Sequence, residues 1–176
     1  QRQMCIRDRT GNVERPAQQN TETANLSAMS ANMPPKKKNG FKETAKAAEQ
    51  GNTEAQYELG RMYFLGRDVA KNATEAEKWY QKAANQENAK AQNELGNLYY
   101  TGLNVTRNYS EAIKWYQKAA EQGIASAQYK LGYMYDYGQG ISQNRVEAAK
   151  WYKKAAEQGN VDAQYRLCLL YTSDAA

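Results

Sequence analysis

Apolar residues recur along this chain with the period of an α-helix, in segments that come in pairs. In the first segment, about 53–65, they fall at i, i+4, i+7 and i+8, which places them on one helical face. These residues are Ala55, Leu59, Met62 and Tyr63. The second segment, about 74–86, has a comparable face made of Ala76, Trp79, Tyr80, Ala83 and Ala84. The pattern predicts two amphipathic helices joined by a short connection.

The helix pair recurs at a fixed interval, which the tryptophans mark most clearly: Trp79, Trp115 and Trp151 are 36 residues apart. The same register contains Ala55, Ala91, Ala127 and Ala163, Gln56, Gln92, Gln128 and Gln164, Leu59, Leu95, Leu131 and Leu167, Gly60, Gly96 and Gly132, and Tyr63, Tyr99 and Tyr135. Three full units run from about 52 to 159, and a fourth begins at Asn160. A lone helix pair cannot bury its own apolar face, so the units must stack. The sequence predicts an all-α fold, a right-handed α/α solenoid of 36-residue helix-pair repeats.

Residues that start and stop helices recur in the same register. Each second helix follows an Asn with a Glu three residues later, which predicts a reciprocal cap in which the Glu side chain reaches back to the Asn. The pairs are Asn72 with Glu75, Asn108 with Glu111, and Asn144 with Glu147. The loop positions Asp68, Asn104 and Gly140 tolerate positive φ, as a tight turn requires. Gly51, Gly123 and Gly159 stand where helices should end, with Glu87 as the exception.

Small and large residues share the predicted interior. Alanine and glycine columns allow neighbouring helices to approach closely, and the bulky residues fill the space beside them. A buried Trp removes roughly 150–250 Å² from water, worth on the order of 4–6 kcal/mol as an upper estimate. We therefore expect the one Trp of each unit to be a principal anchor of the stack.

Two consecutive patterns connect the chain to a known family. Ala127 to Gly138 reads Ala-x-x-x-Leu-Gly-x-x-Tyr-x-x-Gly, and Ala148 to Gly159 reads Ala-x-x-Trp-Tyr-x-Lys-Ala-Ala-x-x-Gly. Together they resemble the Sel1-like repeat, a branch of the tetratricopeptide superfamily, over about residues 52–167. The resemblance implies a tetratricopeptide-like superhelix that serves as an adaptor or scaffold in protein assemblies, bacterial host interaction or endoplasmic reticulum quality control. It implies no catalytic activity.

The resemblance also implies where a partner would bind. In tetratricopeptide-like solenoids the first helices line the concave groove, so the face of each first helix opposite its apolar stripe would contact the ligand. Its residues are Tyr57, Arg61, Phe64, Asn93, Asn97, Tyr100, Tyr129, Tyr133, Asp136 and Tyr165. Tyr and Arg dominate binding energy at interfaces, and Asn can bind an extended peptide backbone.

A structural role competes with this interpretation for part of the set. Tyr57, Tyr129 and Tyr165 are also suited to packing between adjacent units, where their role would be structural. The residues expected to be exposed in the groove are Arg61, Asn93, Asn97, Tyr133 and Asp136. Since Arg and Asp occur on the same face, a purely anionic or purely cationic ligand is disfavoured.

Composition narrows the class of function. The chain has no His, the commonest general base and metal ligand, and it contains no phosphate loop, dinucleotide fingerprint or metal cluster. We therefore predict a non-enzymatic protein that uses no cofactor. No apolar run approaches the roughly 18 residues of a membrane span. The expected partner is a protein or peptide of unknown identity.

Two alternatives remain open at the level of sequence. Helical repeats of similar length can read nucleic acid along a basic groove, but here the formal net charge is only +5 and Asp136 lies in the presumed groove, so no nucleic acid is expected. The repeats could also be an accessory to a larger enzyme.

The two ends of the chain have an unusual relation. Residues 1–8 and 168–175 can be encoded by reverse-complementary DNA that resembles a sequencing-library adapter, so we expect 1–9 and 168–176 to be translated adapter. Both cysteines lie in these segments, and no disulfide framework is expected in 10–167. Residues 10–40 have the composition of a disordered linker, and 41–51 are expected to form a capping helix. These ends give no basis for assigning a compartment.

Overall fold

The computed structural model describes residues 40–103 and 105–173, and these residues form eight α-helices and no strand. The helices are α1 (Gly40–Glu49), α2 (Thr53–Leu65), α3 (Ala73–Asn85), α4 (Ala89–Thr101), α5 (Tyr109–Glu121), α6 (Ala125–Tyr137), α7 (Arg145–Glu157) and α8 (Val161–Ser173). The predicted all-α stack of helix pairs is confirmed, with α2, α4, α6 and α8 as first helices and α3, α5 and α7 as second helices. The predicted linker, apart from Gly40, and the first predicted adapter segment lie outside the described residues.

Each second helix begins at the predicted Asn. The Oδ1 atoms of Asn72, Asn108 and Asn144 accept from the backbone N–H three residues later, at 3.1, 3.1 and 3.0 Å. The predicted return bond from the Glu is wrong, because the N–H of each Asn donates instead to a tyrosine carbonyl near the end of the preceding helix. The acceptors are Tyr63, Tyr99 and Tyr135, at 2.9, 2.9 and 2.8 Å. The glutamates form ion pairs with lysines three residues further along: Glu75 with Lys78, Glu111 with Lys114, and Glu147 with Lys150.

Left-handed backbone occurs at the predicted turns. Asp68 and Gly140 have φ of 59° and 72°, and Glu87 adopts 63° at the position that Gly51, Gly123 and Gly159 occupy in the other connections. The predictions at these positions are confirmed, whereas Asn104 lies outside the described residues. Since Glu87 does have a Cβ, glycine is favoured at this connection without being required.

The deepest side chains in the stack are tyrosines of the second helices. Tyr80, Tyr116 and Tyr152 are at most 1% exposed, and each ring lies on a glycine of the first helix of its own repeat. A Cβ added at Gly60, Gly96 or Gly132 would lie 2.6, 2.5 or 2.8 Å from the nearest ring atom. We call Gly60, Gly96 and Gly132 the glycine column, and Tyr80, Tyr116 and Tyr152 the tyrosine column. The glycine column is therefore the surface on which the tyrosine column packs.

The tryptophans lie further from the centre than expected. Trp79 and Trp115 are buried at 8% exposure, but Trp151 is only half-buried. Each indole is covered by the ammonium group of a lysine three residues later, with Nζ at 3.9, 4.5 and 4.1 Å from the ring centroid for Lys82, Lys118 and Lys154. Trp79 and Trp115 thus belong to the core as expected, Trp151 is less enclosed than expected, and the tyrosine next to each Trp is buried more completely.

A line of glutamines connects consecutive repeats. Gln92 is 3% exposed, and its Nε2 donates to the carbonyl of Ala84 in the preceding repeat at 3.2 Å. Its Oε1 accepts from Nε2 of Gln122, at the end of the second helix of its own repeat, at 2.8 Å. The same arrangement links Gln86 to Gln56 to Ala48, and Gln158 to Gln128 to Ala120. We call these hydrogen bonds the glutamine relay.

The two ends of the described stack are covered differently. At the first end, α1 buries Ala48 in a cluster with Leu59, and the Phe41 ring meets Tyr63 edge-on at 5.9 Å between centroids. At the other end, α8 includes residues 168–173 of the second predicted adapter segment. There Cys168, which is buried and disulfide-bonded, stands in the register of the glycine column. No helix in the described part of the chain is both long and apolar enough to cross a membrane.

Candidate partner-binding face on the first helices

The first helices lie side by side across the repeats. Lys90 of α4 forms an ion pair with Glu54 of α2 at 3.2 Å, and the Ser126 hydroxyl of α6 donates to Asn93 of α4 at 3.1 Å. Arg166 of α8 donates to the hydroxyl of Tyr137 on α6. We call the surface formed by the ten predicted site residues on α2, α4, α6 and α8 the first-helix face.

Burial divides the ten residues into two groups. Tyr57 and Asn93 are buried, at 6% and 8% exposure, and the other eight are half-buried. The expectation that Asn93 would be exposed is wrong, because its amide oxygen accepts from the next repeat and the two helices close over it. Tyr57 packs in a cluster with Ala91 and Leu95 of the following repeat, as its structural interpretation predicts.

The first two repeats form a polar section of this face. Arg61 makes an ion pair with Glu58 at 2.9 Å, and its guanidinium carbon lies 5.7 Å from the centroid of the Tyr57 ring. On the neighbouring helix, Asn97 donates to the carboxylate of Glu94 at 3.2 Å. Burial raises the pKa of Glu94, against the hydrogen bond from Asn97 and the charge of Arg61, which lower it.

The third and fourth repeats form an aromatic and cationic section. The rings of Tyr133 and Tyr137 are 4.5 Å apart between centroids, and the Arg166 guanidinium lies 5.4 and 5.3 Å from them. Tyr129 lies 6.4 Å from Tyr133. Stacked tyrosines under a guanidinium present flat apolar area with hydroxyl groups at the edge, which suits contact with a peptide.

Lys130 joins the two sections. Its Nζ lies 5.1 Å from the centroid of the Tyr100 ring and 6.0 Å from that of Tyr129. Lys130, Tyr137 and Arg166 were not among the residues predicted from the sequence. The 36-residue register contained a signal for two of them, since Glu58, Glu94, Lys130 and Arg166 form one column of charged residues next to the Tyr57 column.

The remaining predicted residues also have defined surroundings. The Asp136 carboxylate accepts from the hydroxyl of Tyr152 at 3.3 Å, and the Phe64 ring lies 5.7 Å from Nζ of Lys71. Tyr165 is half-buried on α8. Among the described residues no group of three or more His, Cys, Asp or Glu side chains could hold a metal ion.

These features define a class of protein, the helical-repeat solenoids built from stacked helix pairs. The Sel1 repeat matches residues 53–88, 89–124, 125–160 and 161–173, which together exceed half of the chain. The chain belongs to the Sel1 repeat family. Proteins of this family act in general as protein-interaction scaffolds.

Solved structures of similar proteins agree with this assignment. A Sel1 repeat protein from Oxalobacter formigenes is 38% identical over 73% of this chain and 97% of its own, with a TM-score of 0.68. A protective antigen of uropathogenic Escherichia coli with the SLR fold is 34% identical over 89% of this chain and 37% of its own, with a TM-score of 0.76. Cysteine rich protein B of Helicobacter pylori is 26% identical over 70% and 93% of the two chains, with a TM-score of 0.56. No curated protein matches the chain.

Proposed function

We propose that this chain is a non-enzymatic scaffold that binds a peptide or protein partner on its first-helix face, the concave side of the solenoid. The observation that carries the proposal is a difference between columns of the repeat. Most interior columns are the same in every full unit, as in Gly60, Gly96 and Gly132, whereas several face columns change, as in Arg61, Asn97 and Tyr133. A purely structural surface has no need for such varied chemistry at equivalent positions.

The chemistry of the face supports the same proposal. Eight of its ten residues are half-buried, so they are held in place by neighbours while part of each side chain remains accessible. Tyr133, with Arg166 and Tyr137 beside it, forms the kind of aromatic and guanidinium cluster that supplies most of the energy at interfaces. Half-buried amide groups such as that of Asn97 can bind the backbone of an extended peptide.

Selection from a displayed random-peptide library on the full chain tests the proposal. We expect selected peptides to lose affinity by about tenfold or more when Tyr133 is replaced by Ala, since truncated hot-spot side chains cost upward of about 1–2 kcal/mol. The matched control is Lys114→Ala, which removes an exposed side chain from the second helix α5 and should leave affinity unchanged. Peptides that bind both variants equally well would place binding elsewhere and contradict the proposal.

The same preparation tests the nucleic-acid alternative. A labelled single-stranded RNA is expected to show no binding that survives physiological salt, because the net charge is small and acidic residues such as Asp136 lie on the face. RNA binding that survived this salt and was lost in Tyr133→Ala would favour that alternative over a peptide partner.

A further inference from the structure

The connecting loops of the helix pairs lie along one edge of the solenoid. Loops 66–72, 102–108 and 138–144 each join the end of a first helix to the start of a second. The third loop contacts the repeat before it, since a Cβ added at Gly140 would collide with Tyr109 at the start of α5. We call residues 64–74, 100–110 and 136–146, without residue 104, the loop edge. The opposite edge, where second helices end, comprises 48–54, 84–90, 120–126 and 156–162, and we call it the turn edge.

The two edges differ in charge. The loop edge has four cations and two carboxylates, whereas the turn edge has six carboxylates and one lysine. The loop-edge cations are Arg67, Lys71, Arg107 and Arg145, and its carboxylates are Asp68 and Asp136. Both carboxylates have partners, since Asp68 lies 3.9 Å from Nε of Arg67 and Asp136 accepts from the Tyr152 hydroxyl. The loop edge therefore presents Lys71, Arg107 and Arg145 as a row of exposed cations, one in each full repeat.

Aromatic rings support two of these cations. Nζ of Lys71 lies 5.7 Å from the centroid of the Phe64 ring, and the guanidinium carbon of Arg107 lies 5.9 Å from that of the Tyr109 ring. An aromatic ring attracts a cation without neutralising its charge, as a carboxylate would. The charges of Lys71 and Arg107 thus remain available to an anion outside the protein.

The loop edge also exposes apolar side chains. Leu103, Tyr137 and Val146 are 51%, 50% and 68% exposed, and they are three of the five large apolar residues that are about half exposed or more in the described part of the chain. Of the other two, Tyr171 belongs to the second predicted adapter segment and Val161 lies on the turn edge. Apolar side chains exposed beside a row of cations mark an interaction surface.

An open recess lies at the third repeat. It has a volume of about 360 Å³ and is lined by Asp136, Tyr137, Gln143, Arg145 and Arg166, with Leu169, Leu170 and Thr172 of α8 as its other wall. Guanidinium groups are the donors that best match the oxygens of a phosphate group. Since two of them line this recess, a phosphate group of moderate size has both the space and the donors to bind there.

We propose that the loop edge docks on the surface of a membrane that contains anionic lipids. Cations near such a surface are attracted to the lipid phosphates, and the neighbouring apolar side chains enter the boundary between headgroups and acyl chains. The turn edge, with its six carboxylates, would be repelled and so would face away from the membrane. An acidic protein fits less well, because the exposed apolar residues stand on loops and helix ends instead of lining a groove.

This proposal is independent of the proposed function. The loop edge shares only the border residues Phe64, Tyr100 and Asp136 with the first-helix face. Docking would therefore hold the scaffold at a membrane by one surface while the other surface binds the peptide or protein partner.

Co-sedimentation of the full chain with vesicles tests the charge part of the proposal. We expect binding to vesicles of equal parts phosphatidylcholine and phosphatidylglycerol, and little binding to phosphatidylcholine alone. The triple variant Lys71→Gln, Arg107→Gln, Arg145→Gln should bind at least tenfold more weakly, since each cation near an anionic surface contributes roughly fivefold in affinity.

A matched control keeps the total charge the same and changes its location. Lys78→Gln, Lys114→Gln, Lys150→Gln also removes three exposed lysines, one from each full repeat, but from the middle of second helices. It should bind the anionic vesicles severalfold more tightly than the loop-edge variant. Equal losses in the two triple variants would mean that net charge alone governs binding, and the loop edge would lose its assignment.

The apolar part has its own test. Leu103→Ser with Val146→Ser should weaken vesicle binding severalfold at low and at high salt, because the lost contribution is hydrophobic, whereas the effect of the charge variant should shrink as salt rises. Both positions are exposed, so circular dichroism should show unchanged helix content. An unchanged affinity in this double variant would overturn insertion of the loop edge.

Other occupants of the loop edge give different results. No binding of the wild type to anionic vesicles would overturn the proposal outright. If polyglutamate bound the wild type, lost affinity in the loop-edge charge variant, and vesicles did not, the edge would serve an acidic protein. Vesicle binding that persisted in both loop-edge variants would place the contact elsewhere, for example at the lysines of 36–38. None of these outcomes depends on the selection of peptides for the first-helix face.

Discussion

The second-helix tyrosine column and the first-helix face lie on neighbouring helices, but they differ in how far their residues vary from one repeat to the next. Tyr80, Tyr116 and Tyr152 are the same residue at the same depth, and each ring packs on a glycine of the adjacent helix. Across the face, the equivalent positions 61, 97 and 133 carry Arg, Asn and Tyr. Most interior positions repeat because every unit must solve the same packing problem, whereas the face positions differ from unit to unit.

This difference separates stability from recognition. Truncation of a ring in the tyrosine column should lower stability to a similar extent in every repeat, because each ring packs on a glycine in the same way. Substitution at the half-buried positions of the face should change stability little and by an amount that depends on the local contacts. Four measurements, from the largest expected effect to the smallest, test this division.

Alkaline pH should unfold the protein as a whole. Burial raises the pKa of Tyr80 and Tyr116 well above the ordinary value, and burial together with the hydrogen bond to Glu77 raises the pKa of Tyr99 to about 12. A pKa that is higher in the folded state contributes stability that is complete below the unfolded value of about 10 and is lost as pH rises through the folded value. Circular dichroism and tyrosinate absorbance should therefore change together above about pH 10. Full tyrosine ionisation with the helices intact would contradict the buried column.

Truncating any column tyrosine should cost about 3–5 kcal/mol, as for other large buried aromatic residues. Chemical denaturation of Tyr80→Ala, Tyr116→Ala and Tyr152→Ala measures this free energy of unfolding. The matched control is Tyr137→Ala beside the first-helix face, where the side chain is half exposed and the loss should stay below about 1 kcal/mol. Equal losses for column and face tyrosines would remove the distinction drawn here.

A single methyl group added to the glycine column should also be costly. In Gly96→Ala the new Cβ would lie 2.5 Å from the Tyr116 ring, and such overpacking costs about 1–3 kcal/mol. In a Tyr116→Leu background the ring is gone and the same substitution should cost much less. If the penalty were equal in both backgrounds, contact with the ring would not be its cause.

The smallest effects are expected from pairs on or beside the face. A double-mutant cycle on Glu54 and Lys90, which are both exposed, should give a coupling of about 0.2–1 kcal/mol that disappears at high salt. A cycle on Tyr133 and Arg166 should give about 0.5–1 kcal/mol with weaker salt dependence, because the cation lies over a ring. Coupling of several kcal/mol in either cycle would show that the face is structural in the same sense as the interior.

Periodicity predicted most of the fold because the helices are short and uniform. The segments expected at 53–65 and 74–86 are α2 (Thr53–Leu65) and α3 (Ala73–Asn85), and the Asn caps stand where they were predicted. The relative depth of Trp and Tyr could not be read in the same way. Both lie on one helical stripe, and only the approach of the glycine-bearing helix decides which of them is enclosed.

The candidate site was less predictable because it depends on contacts between repeats. Asn93 has the pattern of an exposed groove residue, and it becomes buried because Ser126 of the next repeat bonds to it. Arg166 was overlooked because its role depends on Tyr133 and Tyr137, which lie one repeat earlier.

The glutamine relay has a consequence for how such a chain lengthens. Each relay glutamine on a first helix accepts a hydrogen bond from its own repeat and donates one to the repeat before it. Because these positions recur every 36 residues, any 36-residue segment contains one copy of each group that a junction between repeats requires. A gene duplication that copies one whole period therefore regenerates a satisfied junction wherever its boundaries fall. Insertions of other lengths would leave an amide group unpaired inside the stack. The chain can therefore lengthen by whole 36-residue periods without losing these hydrogen bonds.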